Sequence, residues 1–271
     1  MPELPEVEHT RLKLTRWMQG ATLAHVTTAD ARLVRPSTPK AFVKALTGAK
    51  VTAIERKGKW LKLVLGDASL FVHLGMTGWF VKEEAPKFAR VTFDLVKSGK
   101  RSRVVYTDSR RWGRFVLTED SLPTWDALGP DPLADGIDLD ALAAKLARRK
   151  KAPVKVALMD QTVLAGVGNI QAIEALWKAK IDPRSLAAAL TREDLRAVAA
   201  GLRWTIERTL ADLAVNEEGT DNPFRIYGRK GTPCRRCKTT LERIELGGRT
   251  TTFCPGCQEK RIPSVAKRSV A

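Results

Sequence analysis

All four cysteines of this chain fall in one arrangement: Cys234-x2-Cys237, sixteen residues, then Cys254-x2-Cys257. Two such pairs, with Gly247-Gly248 midway, predict two knuckles on a β-hairpin closing a tetrahedral thiolate site. One structural zinc ion suits four soft thiolates and needs no redox cycling. Two disulfides are the competing reading, and a cytosolic chain with no spare cysteine argues against it. The motif fixes the fold of residues 234–257 and says little else, because zinc ribbons occur in many nucleic-acid proteins.

Charge points the same way. The chain has 271 residues, 47 Lys+Arg and 30 Asp+Glu, for a net charge of +17. Residues 1–140 carry 22 basic and 17 acidic side chains, residues 141–271 carry 25 and 13, so the second half holds +12 of the excess. A polyanion is the natural partner of such a surface, and nucleic acid is the commonest. The apolar runs are too short to span a bilayer and no signal peptide precedes the acidic start. A cytosolic protein with no membrane partner is expected.

The hydrophobic period changes along the chain. Pro5 to Gln19 predicts a helix with Val7, Leu14 and Trp17 on its buried face. From Ala21 to Leu117, alternating β-branched runs such as VTAIERK, LKLVLG, SLFVHLG, RVTFDLV and SRVVYTD are split by Gly, Asp and Ser-Gly turns. That texture predicts an antiparallel sandwich or barrel. A Pro/Gly/Asp-rich linker follows at 122–138. Helices are then expected over Leu139–Arg149, Val154–Met159, Ile170–Lys178 and from about Arg192 to Leu213. The last opens with the capping pattern Thr191-Arg-Glu-Asp194 and continues with Leu195, Val198, Leu202 and Ile206 at core spacing. The expected divisions are 1–121, linker 122–138, 139–226, a zinc hairpin at 227–258 and a basic tail at 259–271.

The first residues, MPELPEVE, place three carboxylates before any basic side chain. Acidic residues suit the first turn of a helix. Pro2 and Pro5 would rigidify a helix entry in any case. Removing Met1 would also expose Pro2 as a secondary amine, which is nucleophilic when neutral; an α-amino group titrates near about 8.

Taken together, MPELPEVE, HLGMTG (73–78), DSRRWG (108–113), LAGVGNI (164–170), YGRKG (227–231) and the four-cysteine hairpin resemble the formamidopyrimidine-DNA glycosylase / endonuclease VIII family. These motifs run in order from the first residue to Cys257, and lie nearer the formamidopyrimidine branch. The resemblance implies an α+β fold: an N-terminal helix with an antiparallel β-sandwich, then a helix–two-turn–helix domain ending in a β-hairpin zinc finger. It implies a bifunctional base-excision enzyme, a DNA glycosylase with abasic-site lyase activity, acting as a monomer on damaged double-stranded DNA in the bacterial cytosol. The same fold acting on oxidised pyrimidines, bulky adducts or abasic sites is an alternative, and so is a non-catalytic protein that binds damaged DNA.

The resemblance also implies roles. Pro2 attacks the deoxyribose C1′ and forms a Schiff base; Glu3 donates a proton to the sugar ring oxygen. Glu6 orders water or holds the amine, while Glu8 is left as solvated surface. Lys59, preferred to Lys57, reaches the phosphate beside the lesion. Met76, Arg110 and Trp112, the last in place of the usual phenylalanine, fill the stack left by the extruded base. Lys150, Lys155, Asn169 and Tyr227 are expected DNA contacts, and Arg249 at the hairpin tip grips phosphates around the lesion. Three departures stand out. QAIE (171–174) replaces a YADE-like run, Phe88 stands where a histidine is expected, and only VNEEGTDNPFRI (215–226) separates the long helix from YGRKG. Family members acting on oxidised guanine usually carry a longer, lesion-capping loop there.

Overall fold

A computed structural model of the chain describes residues 2–216 and 224–262. It forms two units, Met1–Ala127 and Leu128–Ala271. The first is built mainly of strands. In order come α1 (Leu4–Met18), β1 (Thr22–Thr27), α2 (Pro39–Leu46), β2 (Ala53–Lys57), β3 (Trp60–Leu65), β4 (Ala68–His73), β5 (Trp79–Val81), β6 (Ala89–Lys97), β7 (Lys100–Thr107), β8 (Arg114–Thr118) and the short α3 (Pro123–Asp126). The strands make two antiparallel sheets, ordered β1-β6-β7-β5 and β2-β3-β4-β8.

Turn chemistry sets the register. Lys97 pairs with Lys100 across Ser98-Gly99, both at positive φ (50° and 75°), the backbone a two-residue hairpin turn demands. Val91, Phe93 and Leu95 then point inward on alternate residues of β6. They share one core with Leu61, Leu63, Leu70 and Val72 of the other sheet and with Val7, Leu14 and Met18 of α1. Tyr106 and Phe115, one from each sheet, meet edge to face at 4.9 Å.

The helix α2 is not foreshadowed in the strand-rich reading of residues 21–117. Its signals are local: the Thr38 hydroxyl accepts from the Ala41 N–H at 3.2 Å, Pro39 opens the first turn, and Phe42 and Leu46 bury one face. Two turns of helix between strands are too short for periodicity to declare themselves.

The second unit is helical. It contains α4 (Leu139–Ala147), α5 (Val154–Leu158), α6 (Asn169–Lys178) and α7 (Arg192–Val215), then the hairpin strands β9 (Glu242–Glu245) and β10 (Thr250–Phe253). Thr191 and Asp194 close the expected capping box, and Leu195, Val198, Leu202 and Ile206 are buried. α7 packs so closely on α6 that a Cβ at Gly201 would stand 2.6 Å from the Ala175 carbonyl oxygen. Glycine is required there by space, despite its cost inside a helix. The stretch 122–138 is more ordered than a bare connection: α3 lies within it, and the buried Asp131 carboxylate accepts from the Leu133 and Ala134 N–H groups.

Candidate active site and zinc hairpin

Glu3 is the N-cap of α1, extended at φ −106° and 2% exposed. Its amide donates to the Glu6 carboxylate at 2.9 Å, and its own carboxyl accepts from the Glu6 N–H, so the pair cap one another. Burial, then the charge of Glu3, pushes the Glu6 pKa up. A carboxyl whose pKa is raised therefore sits in the first turn of α1, four residues from the half-buried Pro2.

Glu8 is not solvated surface. Its side chain is 13% exposed and pairs with Arg11 at 2.7 Å and with Arg56 at 2.7 Å. The sequence conceals this because Arg56 is on β2, forty-eight residues away. Lys59 lies in the two-residue turn between β2 and β3, not on a strand, and is 8% exposed. Across the sheet, Trp60 pairs with His73. Burial, followed by the charges of Lys59 and Arg114, lowers the His73 pKa to about 4. Its Nδ1 accepts from the Gly75 N–H at 3.1 Å, which leaves the proton of the neutral ring on Nε2. His73 stands in HLGMTG itself, yet nothing in that string announces the neighbouring lysine.

Met76, Arg110 and Trp112 are brought onto two abutting turns. A Cβ at Gly75 would strike the Trp112 backbone at 2.5 Å, and one at Gly113 would strike the Tyr106 hydroxyl at 1.9 Å. Glycine is needed at 75 because the two turns touch, and at 113 because the Tyr106 side chain of β7 packs against it. The buried Asp108 carboxylate ties the turns together. It accepts from the Thr77 hydroxyl at 2.6 Å, from the N–H groups of Arg110, Trp112 and Gly113 at 3.1, 2.8 and 2.8 Å, and from Tyr106 at 3.3 Å. Burial raises its pKa, but these donors outweigh it and hold the group below the usual carboxylate range. Arg111, at φ +57°, is held by Asp30 through two bonds of 2.6 and 2.9 Å. Above this base the guanidinium of Arg110 lies 3.9 Å from the centre of the Trp112 ring, and Trp112 is 57% exposed.

In the second unit the four cysteine sulfurs lie within 4.8 Å of one another, with Cys234–Cys257 at 3.9 Å and Cys237–Cys254 at 3.3 Å. Bonds of ~2.3 Å to a tetrahedral zinc put sulfurs about 3.8 Å apart, so the set fits that ion. All four are free, far beyond disulfide bonding distance. N–H groups stabilise anionic sulfur: the Trp177 indole and the Arg236 amide each reach Cys234 at 3.4 Å. Against opposing burial, donors of this kind lower the Cys234 pKa to about 6.

The hairpin turn is Leu246-Gly247-Gly248-Arg249, with both glycines at positive φ (62° and 66°), so Arg249 is exposed at its tip. Lys155, expected at the surface as a phosphate contact, is instead fully buried and donates to the Leu246 carbonyl at 3.3 Å. A long apolar stem with one polar end suits that inward path. Lys150 is exposed. Asn169 begins α6 and donates to the Thr250 carbonyl at 3.0 Å, while its Oδ1 is buried without a partner. Tyr227 is half-buried, and its amide, with those of Arg225 and Ile226, donates to the buried Glu174 carboxylate at 2.9 Å each.

Three family profiles match the chain in order. They are the formamidopyrimidine-DNA glycosylase N-terminal domain over residues 1–115, its H2TH domain over residues 128–218, and the zinc finger found in FPG and IleRS over residues 231–260. A formamidopyrimidine-DNA glycosylase of Chloroflexus aurantiacus is 37% identical over 274 residues, spanning 95% of this chain and 98% of its own length. One from Laribacter hongkongensis is 39% identical over 274 residues, spanning 95% of this chain and all (100%) of its own. The chain belongs to the formamidopyrimidine-DNA glycosylase family. A solved structure of MutM in complex with DNA containing carbocyclic 8-oxo-G is similar at a TM-score of 0.85 and 30% identity, covering 96% of this chain and 100% of that one. A complex of the Lactococcus lactis Fpg with abasic-site DNA gives 0.84 at 30% identity, over 95% and 100%.

Set in a formamidopyrimidine-DNA glycosylase, the departures acquire physical content. QAIE keeps its carboxylate, and Glu174 uses it to gather the backbone that leads into YGRKG. Phe88 is exposed at φ +60°; its carbonyl accepts from the Asp108 amide at 3.1 Å, and Arg90 donates to the Asp108 carbonyl at 2.8 Å. Of the segment 215–226, residues 217–223 lie outside the described residues, as do Met1 and tail residues 263–271.

Proposed function

We propose that this chain is a DNA glycosylase with abasic-site lyase activity in base excision repair, acting on damaged double-stranded DNA. The observation that carries the reading is the mutually capped Glu3–Glu6 pair at the start of α1, with the raised Glu6 carboxyl four residues from Pro2. With Met1 removed, the lone pair of the Pro2 nitrogen forms a bond to C1′, the damaged base leaves with the glycosidic electron pair, and the proton shed by the nitrogen goes to the departing base. A carboxyl proton passes to the ring oxygen, the ring opens and an iminium remains. The iminium acidifies C2′; loss of that proton drives elimination of the 3′ phosphate, the group assigned to Lys59. A secondary amine suits this path, since its adduct is already cationic.

Met76 and the stacked Arg110–Trp112 pair fill the vacated stack. Asn169, Lys150, Tyr227 and Arg249 take phosphates, and zinc aims Arg249 without entering the chemistry. The net charge of +17 supports a polyanionic partner. No helix among the described residues is long and apolar enough to cross a membrane, and the proposed setting is a bacterial cytosol, with the protein acting as a monomer. Borohydride trapping on abasic-site duplex tests the proposal. Protein beginning at Pro2 is expected to form a covalent complex; its absence from intact, zinc-loaded protein would refute the lyase assignment.

A further inference from the structure

The buried ion pair between α1 and β2 does more than join two elements. Arg56 has 3% of its side chain exposed and donates through Nε to Glu8 at 2.7 Å. Its other arm, NH1, donates to the Gly58 carbonyl at 3.1 Å. That carbonyl belongs to the peptide joining Gly58 to Lys59. A peptide group is planar, so holding its oxygen also holds the nitrogen and sets the Cα of Lys59. Gly58 has φ +58°, which makes the turn tight and leaves Lys59 little backbone choice. Glu8 is itself steadied by Arg11, which donates to both carboxylate oxygens at 2.7 and 3.0 Å.

We infer that Glu8 and Arg56 are positioning residues: the chain Glu8–Arg56–Gly58 fixes the Lys59 turn against the helix that carries Pro2. The inference rests on the proposed roles of Pro2 and Lys59. A buried ion pair seldom adds much net stability, because desolvating both charges offsets their attraction. Its directional bonds can still hold two elements in one geometry. Lys59 is 8% exposed, so its ammonium cannot swing freely to correct a displaced turn. Two groups that act on one sugar-phosphate unit need such a correction least when their supports are bonded directly.

The test is a double-mutant cycle in the full-length, zinc-loaded protein with Pro2 at its terminus. Single-turnover cleavage of an abasic duplex is measured beside Kd for an uncleavable tetrahydrofuran duplex and beside Tm. Arg56→Met is expected to slow cleavage by about 10- to 100-fold, the range that small misplacements of reacting groups produce. Kd should change little, and Arg56→Lys should restore part of the rate. The decisive arm is the Lys59→Ala background, where Arg56→Met should cause no further loss, since a residue acting through Lys59 has nothing left to position. An undiminished rate in Arg56→Met, or the same factor lost again on top of Lys59→Ala, would overturn the inference. Glu8→Gln, which keeps the shape and removes the charge, serves in the same cycle if Arg56→Met does not fold. A Lys59→Ala protein cutting as fast as its parent would refute the role of Lys59 and this inference with it. Borohydride trapping by the parent would still stand, which separates that failure from failure of the lyase assignment.

Discussion

Replacing Asp108 by asparagine tests whether a single buried carboxylate builds the surface proposed to fill the stack. One carboxylate oxygen serves Thr77 and the Arg110 amide; the other serves the amides of Trp112 and Gly113 and the Tyr106 hydroxyl. Asparagine offers one oxygen, so whichever way the amide turns, two or more donors lose their carboxylate acceptor, although the Arg110 amide keeps the Thr77 hydroxyl at 3.2 Å and the Tyr106 hydroxyl keeps the Leu74 carbonyl at 3.0 Å. One unmet donor costs about 1–3 kcal/mol, which puts Asp108→Asn near 2 kcal/mol and about 6–8 °C in Tm for a unit of this size. Calorimetry of the full chain would read the shift. Cleavage of an abasic duplex should fall at least ~10-fold, while an abasic single strand, with no stack to refill, should be cut nearly as before. The acid limb gives an independent check. Asp108 has a folded-state pKa depressed from 3.8, so its contribution is present above that value and lost as pH falls below it. The asparagine protein should lack that part of the acid sensitivity. A variant that melts within about 2 °C of the parent and cuts duplex normally would show that glycine packing alone holds the loops.

Metal analysis should find one zinc per chain, and its removal should abolish DNA binding while the β-sandwich stays folded, since so small a hairpin cannot fold without the ion; binding that survives chelation would refute this. His73→Gln keeps an acceptor for the Gly75 amide but cannot titrate. Because the folded-state pKa of His73 is about 4 against 6.5, the parent should lose stability as pH falls through that window. The loss is about 2 kcal/mol by pH 5, and the variant should lack it in denaturant titrations. Equal pH slopes in the two proteins would place the sensitivity elsewhere. Finally, with only residues 215–226 before Tyr227 there is little chain to cap a flipped base. Excision of oxidised guanine opposite cytosine should therefore be weak beside abasic-site cleavage in the same duplex, with ring-opened purines or larger lesions handled better; comparable rates would show that another segment supplies the cap.

Local signals carried much of this molecule into view. The cysteine spacing, the Thr191–Asp194 cap and the alternation of β6 each act over a few residues, and each has its counterpart in the structure. The family follows from motifs in order, and the matched profiles bear it out. What stayed hidden depends on distance along the chain. Glu8 looks solvated until Arg56 arrives from β2, forty-eight residues on, and Lys155 looks like a surface cation until a hairpin ninety-one residues on covers it. Asp108 was part of a quoted motif, yet nothing in that string shows that its carboxylate also takes the Thr77 hydroxyl of the neighbouring turn. Pairing between elements, rather than composition, decides which charges meet water.

The zinc hairpin is held at both ends. At its base the thiolates converge. At its tip, Gly247 lies so close to α5 that a Cβ would come within 2.8 Å of Val156, and Lys155 grips the Leu246 carbonyl from the same helix. A strand pair clamped only at the metal would be a cantilever, whose free end swings through an arc that grows with its length. Clamped at both ends it becomes a bridge, stiffest against sideways displacement where Arg249 projects. The length of the span is then fixed as tightly as its chemistry. Adding one residue to either strand would carry the tip past its seat on α5, and Arg249 would be displaced with every cysteine still in place.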